Sequence, residues 1–373
     1  MRSILRCVMA VFLSAGVCAV AQEPVRVAVV GLEHGHARGV FNNIAKDSDV
    51  KLVAVVEADK ELRGMYAKRF NLDPALFYDT MDQMFAAKTG ANKPEVVLAY
   101  NAIAKHRDVV IKAAGQGVSA MVEKPLATTL DDAVAMRNAS IKNHTQLLVN
   151  YETTWYSSNA EVLKQVASGK LGNLRKVVVH DGHEGPIEIG VGPEFGRWLT
   201  DPVLNGAGAM FDFGCYGADL LTVMMHGAAP LSVTAVSQTN KPQTYPKVED
   251  DATVILKYKG SQGVLMPSWD WSFARKDMEV YGDGGYAVAI DPTAIRTRYK
   301  GQKTETLGTA PALAPEQATA FGYLVAVMRG KVKPVGDLSG LDTNMVVVQI
   351  LDAARRSVKE GRTVMVTPLP AMR

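Results

Sequence analysis

Cysteine is nearly absent from this chain of 373 residues, which contains only Cys7, Cys18 and Cys215. The first two lie in an N-terminal segment that we expect to be removed, so one thiol remains in the mature protein. A single cysteine cannot form an intramolecular disulfide. A disulfide-dependent fold is therefore excluded, and a chain of this length is long enough to be stabilised by a large packed core.

The chain also lacks a large excess of charge of either sign. Lysine and arginine number 41 and aspartate and glutamate 38, which gives a formal net charge of +3. The basic residues are spread along the chain and form no stripe, which argues against a nucleic-acid partner. With 47% hydrophobic and 21% charged residues, the composition is that of a globular protein.

An apolar run near the N-terminus is too short to span a membrane comfortably. It extends from Val8 to Val20, follows two arginines and ends in an A-x-A pattern. These are the three parts of a secretory signal peptide, which we assign to residues 1–21. The mature protein then starts near Gln22 and works in the periplasm or outside the cell. The alternative is an uncleaved N-terminal anchor, and no other contact with a membrane is expected.

Beyond the signal, apolar strands first alternate with helical stretches. This rhythm begins with a strand over Val25–Val30 and a helix over Ala37–Ala45, and it is typical of a parallel sheet with helical crossovers. A later helix, Asn159–Ser168, leads into strands with little helix between them, which predicts an open, mainly antiparallel sheet. We therefore expect an α/β protein with a doubly wound Rossmann domain over residues 22–148 and an α+β domain over residues 149–373.

The loop after the first strand lacks most glycines of a regular dinucleotide site. In VRVAVVGLEHGHARGV, Gly31 stands where a tight turn precedes a helix N-terminus, an arrangement that binds phosphate. Glu33 and His36 replace the second and third glycines of G-x-G-x-x-G, so the loop alone is weak evidence. Gly35 restores some backbone freedom, and His34 or His36 can donate a hydrogen bond to an anion. The Glu33 carboxylate would repel a pyrophosphate unless it is paired.

An acidic residue at the end of the second predicted strand favours NAD as the ligand. Glu57 lies 26 residues after Gly31, at a position where a carboxylate accepts hydrogen bonds from the adenosine ribose. A carboxylate there also repels a 2′-phosphate, so NAD is favoured over NADP. The alternative is a solvent-exposed acid at a strand end.

Two further segments carry a family resemblance. AMVEKPLATTLDDA places the motif E-K-P at residues 123–125, directly after a predicted strand, and GAGAMFDFGCYGADLL contains D-x-G-x-Y-x-x-D at residues 212–219. Together with the N-terminal strand, turn and helix, and with VVLAYNAIAKH, GKLGNLRKV and MEVYGDGG, they resemble the Gfo/Idh/MocA oxidoreductases over essentially the whole mature chain. The resemblance implies an NAD(P) cofactor and a sugar or polyol substrate.

The resemblance also implies roles for three catalytic residues. Lys124 matches the lysine between the nicotinamide and the substrate hydroxyl, where a lowered pKa would suit proton relay. Asp212 matches the acid that binds substrate or orients its neighbour. Tyr216 occupies the position of the catalytic histidine of many relatives, and a phenol there needs a cation, which Lys124 would supply, to lower its pKa. The alternative for Tyr216 is a packed aromatic side chain.

The same resemblance predicts a set of cofactor-binding residues. The chain departs from the family pattern at one further point in the cofactor site. The predicted cofactor-binding residues are Gly31, Leu32, Glu33, His34, Gly35, His36, Glu57, Asn101, His106, Glu123 and Lys124. Relatives usually carry Pro-Asn before the histidine matched by His106, whereas Ala102 and Ile103 stand here. Either NAD is held differently in this chain, or the site has drifted.

Further histidines and aromatic residues are candidates for sugar binding. His180 and His183, in the segment HDGHE, lie where the resemblance places the substrate pocket, and Trp155 suits stacking on a sugar ring. Plain surface or core residues are the alternative. We expect no metal site, because neither HDGHE nor the pair His34 and His36 matches a zinc signature.

The expected function is an exported oxidoreductase that transfers hydride from a carbinol carbon of a sugar or polyol to NAD. Free NAD is scarce outside the cytoplasm and a dissociable cofactor would be lost by mass action, so tightly bound NAD is expected. The resemblance implies a homodimer or homotetramer assembled through the C-terminal sheet. Two alternatives stay open: an NAD-dependent glycosidase that oxidises the sugar transiently, and a non-catalytic, sugar-binding remnant of the fold.

Overall fold

The computed structural model describes residues 23–367 and 369, so the predicted signal peptide at residues 1–21 lies outside the described residues. Two sheets organise the described chain, a six-stranded one followed by a nine-stranded one. Within this part of the chain, no helix combines the length and the apolar character that crossing a membrane requires.

The six-stranded sheet is parallel and has the order β3-β2-β1-β4-β5-β6. Its strands are short apolar runs whose side chains are buried on both faces, as in VRVAVV of β1. Its elements are β1 (Val25–Val30), α1 (Ala37–Ile44), β2 (Val50–Val56), α2 (Lys60–Phe70), β3 (Phe77–Tyr78), α3 (Met81–Ala87), β4 (Val96–Ala99), α4 (His106–Gly115), β5 (Ser119–Glu123), α5 (Leu130–Lys142) and β6 (Leu147–Asn150).

The nine-stranded sheet has the order β14-β13-β12-β11-β7-β10-β9-β8-β15, and its strand pairs are antiparallel except for β7 with β10. The elements are α6 (Ser157–Ala167), β7 (Leu174–Gly182), α7 (Pro193–Leu199), α8 (Ala209–Asp212), α9 (Gly214–Met224), β8 (Ser232–Gln238), β9 (Asp251–Lys257), β10 (Gln262–Ser268), β11 (Arg275–Gly282), β12 (Gly285–Ala289), β13 (Ala294–Tyr299), β14 (Thr306–Thr309), α10 (Ala320–Met328), α11 (Leu341–Glu360) and β15 (Val364–Met365).

Both sheets agree with the fold class predicted from the sequence, a Rossmann-type parallel sheet followed by a mainly antiparallel one. The apolar segment Phe211–Met225 is not one continuous helix, since α8 and α9 are separate helices that meet at Phe213. The break places Asp212 at the end of α8, where its side chain reaches Lys124.

Within the described part of the chain, helices cover one face of the large sheet. Helix α9 packs closely on it because Gly217 has no side chain: a Cβ there would lie 2.7 Å from Leu265 Cδ2 and 3.1 Å from Val179 Cβ. Asp181 lies two residues beyond Val179 on β7 and faces the same way, since successive side chains of a strand alternate between faces. His180 therefore lies on the opposite face, which we call the open face.

Candidate active site

The first part of the site is the crevice between β1 and β4. The sheet order reverses between these neighbours, and ligands of doubly wound folds bind beyond the strand ends at such a point. Gly31 ends β1 with a φ of +82°, and a Cβ there would lie 2.7 Å from Asn101 Cβ and 2.8 Å from Asn101 N. Only glycine lets the loop after β1 cross the loop after β4 this closely.

Glu33 joins those two loops. Its Oε1 accepts hydrogen bonds from the backbone N of Ala102 at 2.9 Å and from Lys105 Nζ at 2.7 Å. Trp198 on α7 donates from Nε1 to the Glu33 carbonyl oxygen at 3.3 Å. Because the Lys105 ammonium neutralises the Glu33 carboxylate, the repulsion of a pyrophosphate expected from the sequence is relieved.

The polar groups of the crevice fit a dinucleotide. Glu57 accepts hydrogen bonds from Leu32 N at 2.8 Å and Asp59 N at 2.9 Å, and each carboxylate oxygen retains a lone pair for a ribose hydroxyl. Asn101 is 6% exposed, and its Oδ1 has no hydrogen-bond partner among the described residues. The Leu32 side chain is fully buried, so only its backbone faces the crevice. The loop Gly31–His36, Glu57 and Asn101 could together hold a dinucleotide, and their contact with NAD stays a prediction.

Glu123, at the end of β5, connects the loop to the second half of the site. Its Oε2 lies 3.1 Å from His36 Nδ1, and its Oε1 accepts a hydrogen bond from Asn150 Nδ2 at 2.9 Å. Burial alone would raise the pKa of this carboxyl, but the neighbouring His36 outweighs it, so the pKa of Glu123 lies below its usual value. Glu123 is therefore a buried carboxylate at neutral pH.

His34 lies beneath the loop and is 2% exposed. Burial, followed by the charge of His36, holds the pKa of His34 well below its usual value. Its Nδ1 accepts a hydrogen bond from the backbone N of His36 at 3.1 Å, so the neutral ring carries its proton on Nε2. Ligand atoms of His34, His36 and Glu123 lie within 4.8 Å of one another, and metal binding through His34 Nε2 would require His34 Nδ1 to give up the hydrogen bond from His36 N.

His106, predicted to bind the cofactor, is fully buried at the start of α4. Its Nδ1 lies 3.1 Å from the carbonyl oxygen of Leu126, to which it donates, and burial lowers its pKa to about 4. The neutral ring supports the segment that follows Lys124. A direct contact between His106 and the cofactor stays a prediction.

Lys124 and Asp212 form the centre of the second half of the site. Lys124 Nζ lies 2.5 Å from Asp212 Oδ1 and 2.9 Å from the Asp212 carbonyl oxygen, and the two side chains are 6% and 8% exposed. Burial disfavours the ammonium, but the Asp212 carboxylate outweighs burial and raises the pKa of Lys124. The lowered lysine pKa that would suit proton relay is therefore not found, because the carboxylate partner stabilises the ammonium.

Tyr216 on α9 is 1% exposed, and Lys124 Nζ lies 5.0 Å from its ring centroid. Burial, followed by the nearby Asp181, raises the pKa of Tyr216 well above its usual value. The expectation that Lys124 lowers this pKa is therefore wrong, because desolvation dominates. The Tyr216 hydroxyl makes no hydrogen bond to another described residue, so it is available to a ligand.

Two cavities adjoin these groups and share Gly35 and His36. The smaller has a volume of about 390 Å³ and is lined by Lys124, Asp212 and Tyr216. The larger, of about 870 Å³, is lined by residues of α1, the start of α10 and the end of β6. Both volumes lie in the range of small-molecule sites, roughly 300–1,000 Å³.

The three predicted substrate residues occupy three different places. His183 lines the 390 Å³ cavity, and burial lowers its pKa. Trp155 lines the 870 Å³ cavity and donates from Nε1 to Asn150 Oδ1 at 3.2 Å. His180 lies on the open face, where its Nδ1 is 2.8 Å from Asp277 Oδ1, so the sheet separates it from Lys124.

Lys276 and Glu152 also belong to the site, although the sequence did not indicate them. Lys276 on β11 lines the 390 Å³ cavity, with Nζ 4.9 Å from the Tyr216 ring centroid, and it forms an ion pair with Glu152. It lies opposite Asp181 in the β7–β11 register. Asp181 is 3% exposed, and burial raises its pKa well above the usual value.

Two family models match the chain. One, described as an oxidoreductase family with an NAD-binding Rossmann fold, matches residues 25–151, and the GFO/IDH/MocA C-terminal domain matches residues 159–288. Together they cover more than half of the chain. Fold and cleft thus define a two-domain, NAD(P)-dependent oxidoreductase. The chain belongs to the Gfo/Idh/MocA family, which confirms the resemblance found in the sequence.

Individual relatives have low sequence identity to this chain, but their alignments cover most of it. Trans-1,2-dihydrobenzene-1,2-diol dehydrogenase of Xenopus tropicalis is 24% identical over 318 residues, 82% of this chain and 89% of that one. Scyllo-inositol 2-dehydrogenase (NADP(+)) of Bacillus subtilis is 22% identical over 344 residues, 90% of this chain and 97% of that one.

Solved structures show the same fold. The aldose-aldose oxidoreductase from Caulobacter crescentus complexed with glycerol has a TM-score of 0.77 and 24% identity, covering 92% of this chain and all of the other. The inositol dehydrogenase homolog complexed with NAD+ from Azotobacter vinelandii has a TM-score of 0.79 and 20% identity, covering 92% of this chain and 97% of the other.

Proposed function

We propose that this protein is an exported oxidoreductase that oxidises a secondary hydroxyl of a sugar or polyol with tightly held NAD. The observation that carries the proposal is the cavity in which the Lys124–Asp212 ion pair and the free Tyr216 hydroxyl converge beside the dinucleotide crevice. The names of the relatives, which include dehydrogenases of inositol and of D-apiose, support this substrate class.

The proton chemistry follows from the buried ion pair. NAD, when bound, supplies the hydride acceptor. Lys124 takes the proton of the reacting hydroxyl while it passes one of its own protons to Asp212 Oδ1, 2.5 Å away. Lys124 thereby remains an ammonium ion that stabilises the developing negative charge on oxygen, and Asp212 becomes a carboxylic acid. The Tyr216 hydroxyl orients the substrate by a hydrogen bond.

We also propose NAD rather than NADP as the physiological cofactor. Glu57 at the end of β2 would repel a 2′-phosphate. Arg63 lies nearby, but its guanidinium is engaged with the Glu57 carbonyl oxygen and with Asp79. Retention of NAD is supported by the way Glu33 connects the two loops that border the crevice.

A second candidate function is an NAD-dependent glycosidase. Such an enzyme oxidises a sugar carbon, removes the proton next to the new carbonyl, expels the aglycone with a proton from an acid, adds water and returns the hydride. The observation that favours it is Asp181, a buried carboxyl on the inward face opposite Lys276 whose pKa is raised well above its usual value by burial. A carboxyl with a raised pKa is suited to donate a proton to a leaving oxygen.

Export and self-association are part of the proposal. Export is supported by the signal-like residues 1–21. Assembly through the open face is supported by two exposed apolar side chains on the adjacent strands β8 and β9, Val236 at 69% and Ile255 at 43%, since neighbouring exposed apolar residues mark contact surfaces.

The test begins with the cofactor. The mature protein is purified, unfolded and freed of precipitate, and the supernatant is assayed for NAD(H) by absorbance and mass. We expect close to one NAD(H) per chain. Protein loaded with NAD is then tested with sugars, polyols and glycosides. Net formation of NADH indicates the oxidoreductase, whereas release of an aglycone without net formation of NADH indicates the glycosidase. A protein that contains no nucleotide and takes up no added NAD in calorimetry would be the non-catalytic remnant.

A further inference from the structure

The 390 Å³ cavity has an apolar side that the proposed reaction does not use. Pro186, Ile189, Val191 and Phe195 line it together with the polar groups around Lys124. Ile189 is 51% exposed, and its place in the cavity lining distinguishes it from a large apolar residue scattered on a protein surface.

The segment that carries this apolar side is anchored at several points. It connects β7 to α7, and Lys241 Nζ donates to the Glu184 carbonyl oxygen at 2.5 Å and pairs with Glu188 Oε1 at 3.0 Å. The backbone N of Ile187 donates to the Tyr245 hydroxyl at 3.3 Å. These contacts hold the residues before Ile189, and beyond it the backbone N of Val191 donates to the Pro186 carbonyl oxygen at 3.1 Å. Ile189 therefore presents a preformed apolar surface to a ligand.

The charges of the cavity are compensated by groups of the protein itself. Lys124 is neutralised by its buried carboxylate partner. Lys276 is paired with Glu152, and Arg38 lies 3.3 Å from Glu194. Because none of these three cations is left without a carboxylate, an anionic group on the ligand would have to compete with an existing ion pair. The cavity therefore favours an uncharged ligand.

We propose that the substrate is an uncharged sugar or polyol that carries an aryl or alkyl substituent. Its reacting hydroxyl lies at Lys124 and Tyr216, and the substituent lies on Pro186, Ile189 and Val191. This inference rests on the proposed function and narrows its substrate class. Apolar contact at Ile189 then adds affinity that the unsubstituted sugar lacks, by the transfer of apolar surface from water.

The experiment compares matched pairs of glycosides on the NAD-loaded protein. The probes are methyl and phenyl β-glycosides of glucose, galactose and N-acetylglucosamine. Binding is measured by calorimetry, and turnover is measured as NADH formed or phenol released. For the sugar that the site accepts, we expect the phenyl glycoside to bind about tenfold more tightly than the methyl glycoside, the size of effect that apolar pockets provide.

Three variants test where this preference arises. Ile189→Ser should remove most of it, and Ile189→Leu, which keeps the apolar surface, should retain it. Ile141→Ser is the matched control, since Ile141 is 44% exposed on α5 and does not line the cavity. Since Ile189 and Ile141 are both largely exposed, neither serine variant should alter folding.

The outcomes separate the inference from the function on which it rests. A phenyl preference that Ile189→Ser removes and Ile141→Ser retains supports the inference. Equal binding of methyl and phenyl glycosides that are both turned over would overturn it and leave the proposed function intact. If no member of any pair binds or reacts although NAD is bound, the carbohydrate function itself is wrong, and the inference with it.

Discussion

Lys124 and Asp212 are both catalytic candidates and a structural unit. Their side chains are 6% and 8% exposed, and Trp269 Nε1 donates a further hydrogen bond to Asp212 Oδ2 at 3.0 Å. A charge left without its partner in such surroundings costs about 3–5 kcal/mol. A single substitution of Lys124 would therefore mix a loss of catalysis with a loss of stability, so Tyr216 is the better residue for separating the two.

Tyr216→Phe should abolish most activity and leave stability nearly unchanged. The hydroxyl makes no hydrogen bond to another described residue and faces the cavity, so its removal leaves no buried partner unsatisfied. Because the hydroxyl orients the reacting group, we expect kcat to fall by about 10²-fold, and the free energy of unfolding to change by less than about 0.5 kcal/mol. Kinetics on an accepted sugar and urea unfolding check both numbers.

The matched control for this substitution is Tyr258→Phe. Tyr258 is 6% exposed and its hydroxyl also lacks a hydrogen-bond partner among the described residues, but it does not line the 390 Å³ cavity. Its substitution should leave kcat unchanged. Full activity of Tyr216→Phe would show that the phenol takes no part in the reaction.

The stability of the protein should depend on pH through His106. Burial lowers its pKa in the folded state to about 4 from the usual value of 6.5. Between these values the unfolded chain takes up a proton that the folded protein does not, so stability is lost as pH falls from about 6.5 towards about 4. His106 alone should account for a loss of about 2 kcal/mol between about pH 7 and about pH 4.5.

His106→Gln tests that dependence, since glutamine can still donate to the Leu126 carbonyl oxygen but does not titrate. Urea unfolding at the two pH values should show a smaller loss in the variant than in the wild type by about 2 kcal/mol. The buried His34 also lowers stability as pH falls, but it does so equally in the wild type and in the variant. An equal loss in wild type and variant would contradict the assignment.

At the scale of elements, the crossing of two loops depends on one glycine. Gly31→Ala places a Cβ 2.8 Å from the backbone N of Asn101, at a φ of +82°. Gly117→Ala is the matched control, with a φ of +66° and no atom within 4 Å of the added Cβ. Both substitutions strain the backbone by about 1 kcal/mol, but only Gly31→Ala also forces the loops apart.

We therefore expect Gly31→Ala to lose at least about 1 kcal/mol more stability than Gly117→Ala and to bind NAD at least about tenfold more weakly. Chemical unfolding and calorimetric titration with NAD measure the two effects. Equal stability and equal NAD affinity in the two variants would mean that the crossing of the loops is not needed for the site.

Strand periodicity explains what could be predicted at this scale. The predicted strand Val25–Val30 has the bounds found in the structure, and the predicted helix Ala37–Ala45 differs only at its last residue, since α1 ends at Ile44. Both follow from apolar runs, which are local signals. In β11, Lys276 lies on the same face of the strand as the buried Met278 and Val280. A lysine on the inward face of a strand is a sequence signal for a functional site, and it could have identified Lys276.

The face on which His180 lies was not predictable in the same way. Alternation along β7 shows that His180 and Asp181 point to opposite faces, but the sequence does not say which face meets the helices. That is decided by the register with β10 and β11 and by the packing of α9 on Gly217. These are contacts between residues far apart in the chain.

For the whole molecule, the open face of the large sheet should mediate self-association. Val236 and Ile255 project from adjacent strands, and both are exposed. The double substitution to lysine should weaken assembly by roughly tenfold or more, since it places like charges against each other across a self-complementary interface. Analytical ultracentrifugation of wild type and variant provides the measurement.

Val335→Lys is the control, because Val335 is 76% exposed and lies outside the two sheets. It should leave the sedimentation coefficient unchanged. A wild-type protein that sediments as a monomer at all concentrations would exclude assembly through the open face.

The class of fold, the family and the kind of cofactor domain could be predicted from sequence alone, because strands, turns and short motifs such as E-K-P depend on neighbouring residues. The protonation states at the centre of the site could not, because they are set by tertiary contacts. Burial and the Asp212 carboxylate set the pKa of Lys124, desolvation sets that of Tyr216, and Lys105 neutralises Glu33. Each of these effects depends on distance and on exclusion of water between segments far apart in the chain, which sequence spacing does not encode.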